Sequence, residues 1–194
     1  MIYKTHHVAG LVAAELVLFH YHQPILTWQT LASLVGAYLA GPAADVDQPH
    51  SFVGSKVKPV SLFLQGIGIR HRTLTHSILF MVFFWLMLLA IPLPDVVRWA
   101  ILAGYVSHPI IDLFNEEGVE LLWPLKFRIK LLPSVIAIRV ESPGELLFRL
   151  GCTIGSYGLL FLYVAPLFVG WPVVGPLVSH VVSLYPSGLV AALH

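Results

Sequence analysis

The sequence predicts an all-α fold: a polytopic membrane helix bundle with four or five membrane-embedded helices and an interfacial segment. Three observations predict it. Only 11% of the 194 residues are charged, while 57% are hydrophobic. A soluble domain carries about 25% charged residues, so a chain of this composition cannot cover a water-facing surface, and lipid must replace water over much of it. Several apolar runs approach the roughly 20 residues that a bilayer core demands, and mean hydropathy is +0.82. The basic residues gather on one side of those runs.

The first run, 8–19, is short for a span. It is expected as an N-terminal helix extended to about 5–20 and packed inside the bundle. Only Lys4 precedes it and no small-residue cleavage site follows, so it does not read as a cleavable signal peptide. The run 25–40 is slightly short and rich in small residues, which permit close helix packing. Residues 41–72 are polar at first and then amphipathic (VKPVSLFLQGIGI), as an interfacial or re-entrant segment would be. Residues 74–91 (LTHSILFMVFFWLMLLAI) form the clearest span, with Thr73 as a candidate N-cap and His76 in the first or second turn. The next span, 96–114, holds His108 and Asp112. The connection 115–145 carries Lys126, Arg128, Lys130 and Arg139, with an apolar stretch (LLPSVIAI) that can rest on the membrane. Residues 146–169 form another span, almost free of charge after Arg149. The last run, 173–193, is broken by Pro176 and Pro186 and either spans or lies at the interface. No internal repeat divides the chain. A single domain over 1–194 is expected, with the polar candidates within 1–148 and apolar helices over 146–194.

Alternating the helices from the N-terminus sets orientation. One face then receives Lys4, Lys56, Lys58, Arg70, Arg72, Lys126, Arg128, Lys130, Arg139 and Arg149; the other receives only Arg98. The positive-inside rule places the first face in the cytoplasm. The net charge of +1, with basic residues in short loops rather than a stripe, argues against a nucleic-acid partner. The single cysteine, Cys152, excludes an internal disulfide and a thiolate metal cluster, and its apolar setting predicts an inert buried thiol.

The same alternation brings polar residues from four segments to the cytoplasmic side: His6 and His7; Asp45 and Asp47; His71, Arg72 and His76; His108 and Asp112. Histidines and carboxylates that converge in this way are usual ligands of zinc and similar ions. His108 and Asp112 are spaced i, i+4, on one helix face. An ionised Asp in an apolar span costs at least about 2.5 kcal/mol unless paired; a cation would remove that cost, and so would a helix-end His–Asp hydrogen bond. Asp45 and Asp47, in GPAADVDQP, either reach one cation together or sit in a solvated turn. His71 and His76 are five residues apart, about 500° around a regular helix, so they would not share a helix face. Arg72 beside a helix N-terminus suits an anion such as phosphate, or serves as a positive-inside anchor. His6 and His7 point to different sides, so one of them serves. Glu116, Glu117 and Glu120 are candidate general bases or solvated loop carboxylates, and Tyr105, at i, i+3 from His108, either hydrogen-bonds at the site or packs.

Four stretches together resemble the YdjM-like family of bacterial inner-membrane proteins, described as membrane-bound metal-dependent hydrolases: THHVAG at 5–10, DVDQPHSFVGSKVK at 45–58, HRTLTHS at 71–77 and GYVSHPIIDLFNEEGVELLWPLKFRI at 104–129. The resemblance implies His6, Asp45, Asp47, His71, His76, His108 and Asp112 as metal ligands; Arg72 and His76 are the candidate catalytic residues, with Arg72 and Lys56 or Lys58 expected to neutralise a phosphate. The sequence departs from the family pattern at Ala44, where Pro is usual, at Gln48, where His is usual, and at Asn115, where Thr is usual. The family in turn is similar to the zinc-dependent phospholipase C and P1 nuclease enzymes. That implies hydrolysis of a phosphoester or phosphodiester of a membrane lipid at two or three divalent ions, zinc first, with manganese, iron or magnesium compatible with carboxylate-rich ligation. The expected setting is the cytoplasmic face of the bacterial inner membrane. The contrasting expectation is a non-catalytic, metal-stapled scaffold or metal-binding protein.

Overall fold

The computed structural model describes residues 1–169 and 175–183. Their regular structure is helical: α1 (Tyr3–His20), α2 (Trp28–Ala40), α3 (Phe52–Lys56), α4 (Lys58–Gly66), α5 (Ile78–Leu89), α6 (Asp95–Asp112), α7 (Pro143–Val164) and α8 (Gly175–Val182). Short 3-10 turns lie at Ala43–Asp47, Leu74–His76 and Ala165–Phe168. Among the described residues, β structure is limited to two isolated bridges, Asn115 with Ile138 and Val119 with Ile129. These bridges pin the long connection before α7 back onto itself.

Small residues decide the architecture. The central helix, α6, packs against α1 and α2, and α7 lies along α1. A Cβ on Gly104 would lie 2.6 Å from Ala37 Cα, and one on Gly10 would lie 2.6 Å from the Ala37 carbonyl oxygen. Three backbones therefore meet at one alanine, with Ala14, Ala37 and Ala100 fully buried around it. Small residues let helices approach closely enough for dispersion contacts to hold them where lipid offers no hydrophobic drive. Bulkier residues, Leu18, Val96, Val97 and Tyr163, fill the far end of the bundle.

The helix starts follow local capping chemistry. Thr27, Ser77 and Ser142 each accept a hydrogen bond from a backbone N–H three residues on, the usual N-cap arrangement. Ser77 displaces the expected start of the third long helix. Thr73 does not cap it; its hydroxyl donates to the Arg70 carbonyl instead, and His76 sits in a 3-10 turn ahead of the helix.

Among the described helices, one, Pro143–Val164, is long and apolar enough to cross a bilayer unaided. Ile78–Leu89 is fully apolar but has only 12 residues, about 18 Å at 1.5 Å per residue. Both present large apolar side chains outward, among them Val82, Phe83, Leu86, Leu147 and Ile154. The amphipathic segment forms α4, with Val60, Leu62 and Phe63 exposed, and the stretch at 131–138 exposes Leu131, Val135 and Ile136. The expected last span, 173–193, falls mostly outside the described residues; within it, Gly175–Val182 is helical. Cys152 is half-buried rather than enclosed, because α7 leaves much of its surface open.

Candidate metal centre

Four segments deliver the polar residues to one end of the bundle. The first turns of α1 bring His6, the 3-10 turn after α2 brings Asp45 and Asp47, residues 71–76 bring His71 and His76, and the last turns of α6 bring His108 and Asp112. All seven converge. Six of them form two groups, His6 with His108 and Asp112, and Asp45 with His71 and His76; within each, one ligand atom per residue lies within 4.8 Å of the others, and Asp47 bonds His71 beside the second group. The groups adjoin: Asp45 Oδ1 is 3.2 Å from His108 Nε2, and Asp112 Oδ2 is 3.9 Å from His76 Nε2. The irregular backbone before α5 explains how His71 and His76 meet despite a spacing that a regular helix would separate. Their rings stand edge to face at 5.4 Å.

Hydrogen bonds fix which nitrogen of His108 and of His76 is free. His108 Nδ1 lies 2.7 Å from the Gly41 carbonyl, which can only accept, so this nitrogen carries the proton. In the neutral ring its Nε2 is then a bare lone pair, buried, turned toward the Asp45 and Asp112 carboxylates and without a hydrogen-bond partner. His76 repeats the logic. The Thr75 hydroxyl gives its one proton to Asp47 Oδ2 at 2.7 Å, so it can only accept from His76 Nδ1 at 3.0 Å. His76 Nε2 is likewise buried and unpartnered, 3.7 Å from Asp45 Oδ1. Lone pairs facing carboxylates repel, and buried orphaned polar atoms are rare. A divalent cation between them satisfies both sides, so the residues fit a metal.

The other candidates take distinct places. His71 gives its Nδ1 proton to Asp47 Oδ1 at 2.9 Å, which leaves Nε2 toward Asp45. Asp47 is fully buried, and its oxygens receive His71, Thr75 and the Arg72 backbone N–H. It stands as the carboxylate that orients His71 directly and His76 through Thr75, as carboxylates behind metal-binding histidines do. Of the two adjacent histidines, His6 enters the cluster and stacks on His108 at 3.5 Å, whereas His7 bonds the Tyr38 carbonyl. Burial works against the charged form of Asp45, but the neighbouring imidazoles of His108 and His76, once protonated, outweigh it and hold the carboxyl well below the usual carboxylate range.

Arg72 is not open to solvent. Its side chain is 4% exposed, with Nε bonded to Asp112 Oδ2 at 2.9 Å and a terminal nitrogen to Glu117 at 2.8 Å. Its backbone adopts a left-handed φ of 64°, a strain of about 1–3 kcal/mol that persists only where the surroundings impose it. The Met1 amine also lies 3.0 Å from Asp112 Oδ1. Glu116 and Glu120 pair with arginines, Arg139 for the first and Arg70 and Arg128 for the second. Tyr105 donates its hydroxyl proton to the Thr75 carbonyl and so holds the His76 turn against α6.

Sequence reasoning missed two participants, Thr75 and the Gly41 carbonyl, and gave Glu117 a different role from the Arg72 partner it proves to be. Only Thr75, lying between the histidines of HRTLTH, carried a usable signal. Gly41 is required by contact, since a Cβ there would sit 2.4 Å from the His6 carbonyl oxygen.

Comparison with known proteins finds a family and several relatives. The family model described as YdjM inner membrane protein matches residues 1–171. YvsG of Bacillus subtilis, an uncharacterized protein, is 28% identical over 155 residues, covering 79% of this chain and 90% of its own. The inner membrane protein YdjM of Escherichia coli is 35% identical over 117 residues, covering 56% of this chain and 55% of its own, and that of Shigella flexneri matches equally. No solved structure matches the chain significantly. With the match extending through all the segments that build the centre, the chain belongs to the YdjM family of inner membrane proteins.

Proposed function

We propose that the protein is a membrane-bound metal-dependent hydrolase that cleaves a phosphoester or phosphodiester bond of a membrane lipid at the cytoplasmic face. The observation that carries the metal is the pair of buried, unpartnered Nε2 atoms of His76 and His108 turned toward Asp45 and Asp112. A divalent ion held there, zinc first, supplies Lewis acidity and draws the pKa of a water down toward about 7. His6, His108 and Asp112 would hold one ion, and Asp45, His71 and His76 a second, with Asp45 near both. Asp47 and Thr75 orient the histidines, and Arg72 locks Asp112 in place while compensating its charge.

The two groups differ in access. His6, His108 and Asp112 are enclosed, whereas the side chain of His71 is 32% exposed and that of Asp45 13%. Closed coordination suits structural sites, and catalytic sites keep an open position. The inner group alone therefore favours the second reading, a metal staple between α1 and α6, while the outer group supports hydrolysis.

Membrane placement rests on the family and on the outward apolar faces of α5 and α7. In this placement α1, α2, α5, α6 and α7 are embedded and α4 lies at the cytoplasmic interface. The test is direct. Purified protein should retain at least one divalent ion per chain by elemental analysis and release phosphate or head group from mixed lipids, in a manner abolished by chelator and restored by zinc. Metal retained with no lipid turnover would leave the staple; no metal at all would remove both readings.

A further inference from the structure

A mixed polar and apolar cavity of about 420 Å³ opens beside Asp45, within the size range of small-ligand pockets. Asp45 is the one member of the two His/Asp groups that lines it. Lys4 and His50 line it too, and neither makes an ion pair among the described residues. The rings of Tyr3 and Phe52 stack at 4.7 Å and 9° to form one wall, and the Lys4 ammonium lies 5.9 Å from the Tyr3 ring. Lys56 and Lys58 are not among the lining residues, and the Arg72 guanidinium is occupied by Asp112 and Glu117.

We propose that this cavity seats the substrate's phosphate oxyanion, with Lys4 and His50 as its specificity-determining contacts. The proposal rests on the metal-dependent reading above. A phosphate group placed here would share the cavity with Asp45, the cation that Asp45 would help to hold, and two basic groups that make no ion pair among the described residues. Charge-assisted contacts of this kind are the strong ones in phosphate recognition. Glu141 also lines the cavity. Its carboxylate repels a second anion but accepts a proton donor, so it selects a phosphate ester whose alcohol part carries a hydroxyl or an ammonium. Gln48, which also lines the cavity, adds hydrogen-bonding capacity. The volume suits a head group, with any acyl chains left outside it in the bilayer.

The experiment compares the wild-type full chain with the double variant Lys4→Gln, His50→Gln, both purified in detergent and analysed for metal. The probes are inorganic phosphate and sn-glycerol 3-phosphate, titrated calorimetrically, and nanodiscs containing phosphatidic acid as competitor. The wild type should bind glycerol 3-phosphate, and the double variant should bind it at least about tenfold more weakly, with metal content and melting temperature unchanged. Competition by phosphatidic acid assigns the seat to a lipid head group; absence of competition assigns it to a soluble ester. Equal affinity in the two proteins overturns the proposal, as does metal-loaded wild type that binds none of the probes. Metal-free wild type overturns the underlying reading and this one with it, so metal content separates the two failures.

Discussion

Replacing Thr75 with valine should damage the centre without touching a ligand. Valine keeps the shape of threonine and removes only the hydroxyl. That hydroxyl is fully buried, donates to Asp47 Oδ2 at 2.7 Å and accepts from His76 Nδ1 at 3.0 Å. Its loss strands the Nδ1–H of His76, and a buried donor left unsatisfied costs about 1–3 kcal/mol. The ring can escape part of that cost by moving its proton to Nε2, which destroys the lone pair aimed at Asp45. Either route penalises metal binding. Loss of an outer-shell partner typically costs about 10–100-fold in metal affinity, which corresponds to about 1.4–2.8 kcal/mol and agrees with the hydrogen-bond estimate. The assay is competition for zinc against a chromophoric chelator, with Thr75→Ser as the control that restores the hydroxyl. Thr75→Val should bind zinc 10–100-fold more weakly, and Thr75→Ser should recover most of the difference. Wild-type zinc affinity in a folded Thr75→Val protein would refute the assignment of the His76 tautomer and remove His76 from the ligand set.

Gly104→Val should destabilise the bundle, because even the first carbon added would lie 2.6 Å from Ala37 Cα; overpacking of this kind costs about 1–3 kcal/mol or more. A melting temperature in detergent equal to that of the wild type would show that α2 and α6 do not cross closely there. Orientation is testable by reporter fusion: a reporter after Lys126 should read cytoplasmic and one near Pro94 external, and the reverse result for both would turn the centre to the outside of the cell.

Much of this fold can be read from sequence because the apolar runs are long and the ligands chemically distinctive. The runs at 8–19, 25–40, 74–91, 96–114 and 146–169 each contain a helix, and the seven His and Asp candidates do converge. Boundaries shifted where local hydrogen bonding competed. Ser77 outcompetes Thr73 as an N-cap, which moves His76 out of the helix and lets it meet His71. Arg72 is the instructive case. Beside HRTLTH its charge suits a phosphate, but one-dimensional spacing cannot reveal that Asp112, 40 residues away, accepts from its Nε. The same limit hid the role of Asp47. Nothing in DVD distinguishes a ligating carboxylate from one whose oxygens are already filled by His71, Thr75 and a backbone N–H.

The dispersal of the centre along the chain has a consequence for biosynthesis. His6 leaves the ribosome early, but His108 and Asp112 lie on α6, so the His6 group lacks two of its three members, and the Asp45 group its neighbours, until that helix has been made. Until then the early segments hold histidines and aspartates whose intended neighbours do not yet exist, including the Arg72 guanidinium waiting for Asp112. The Gly10, Ala37 and Gly104 seam closes at the same moment, because Gly104 arrives on the same helix. Arrival of α6 therefore closes the Ala37 seam and brings Asp112 to Arg72 in one step, and a chain interrupted before it carries an uncompensated polar cluster that a quality-control protease could recognise.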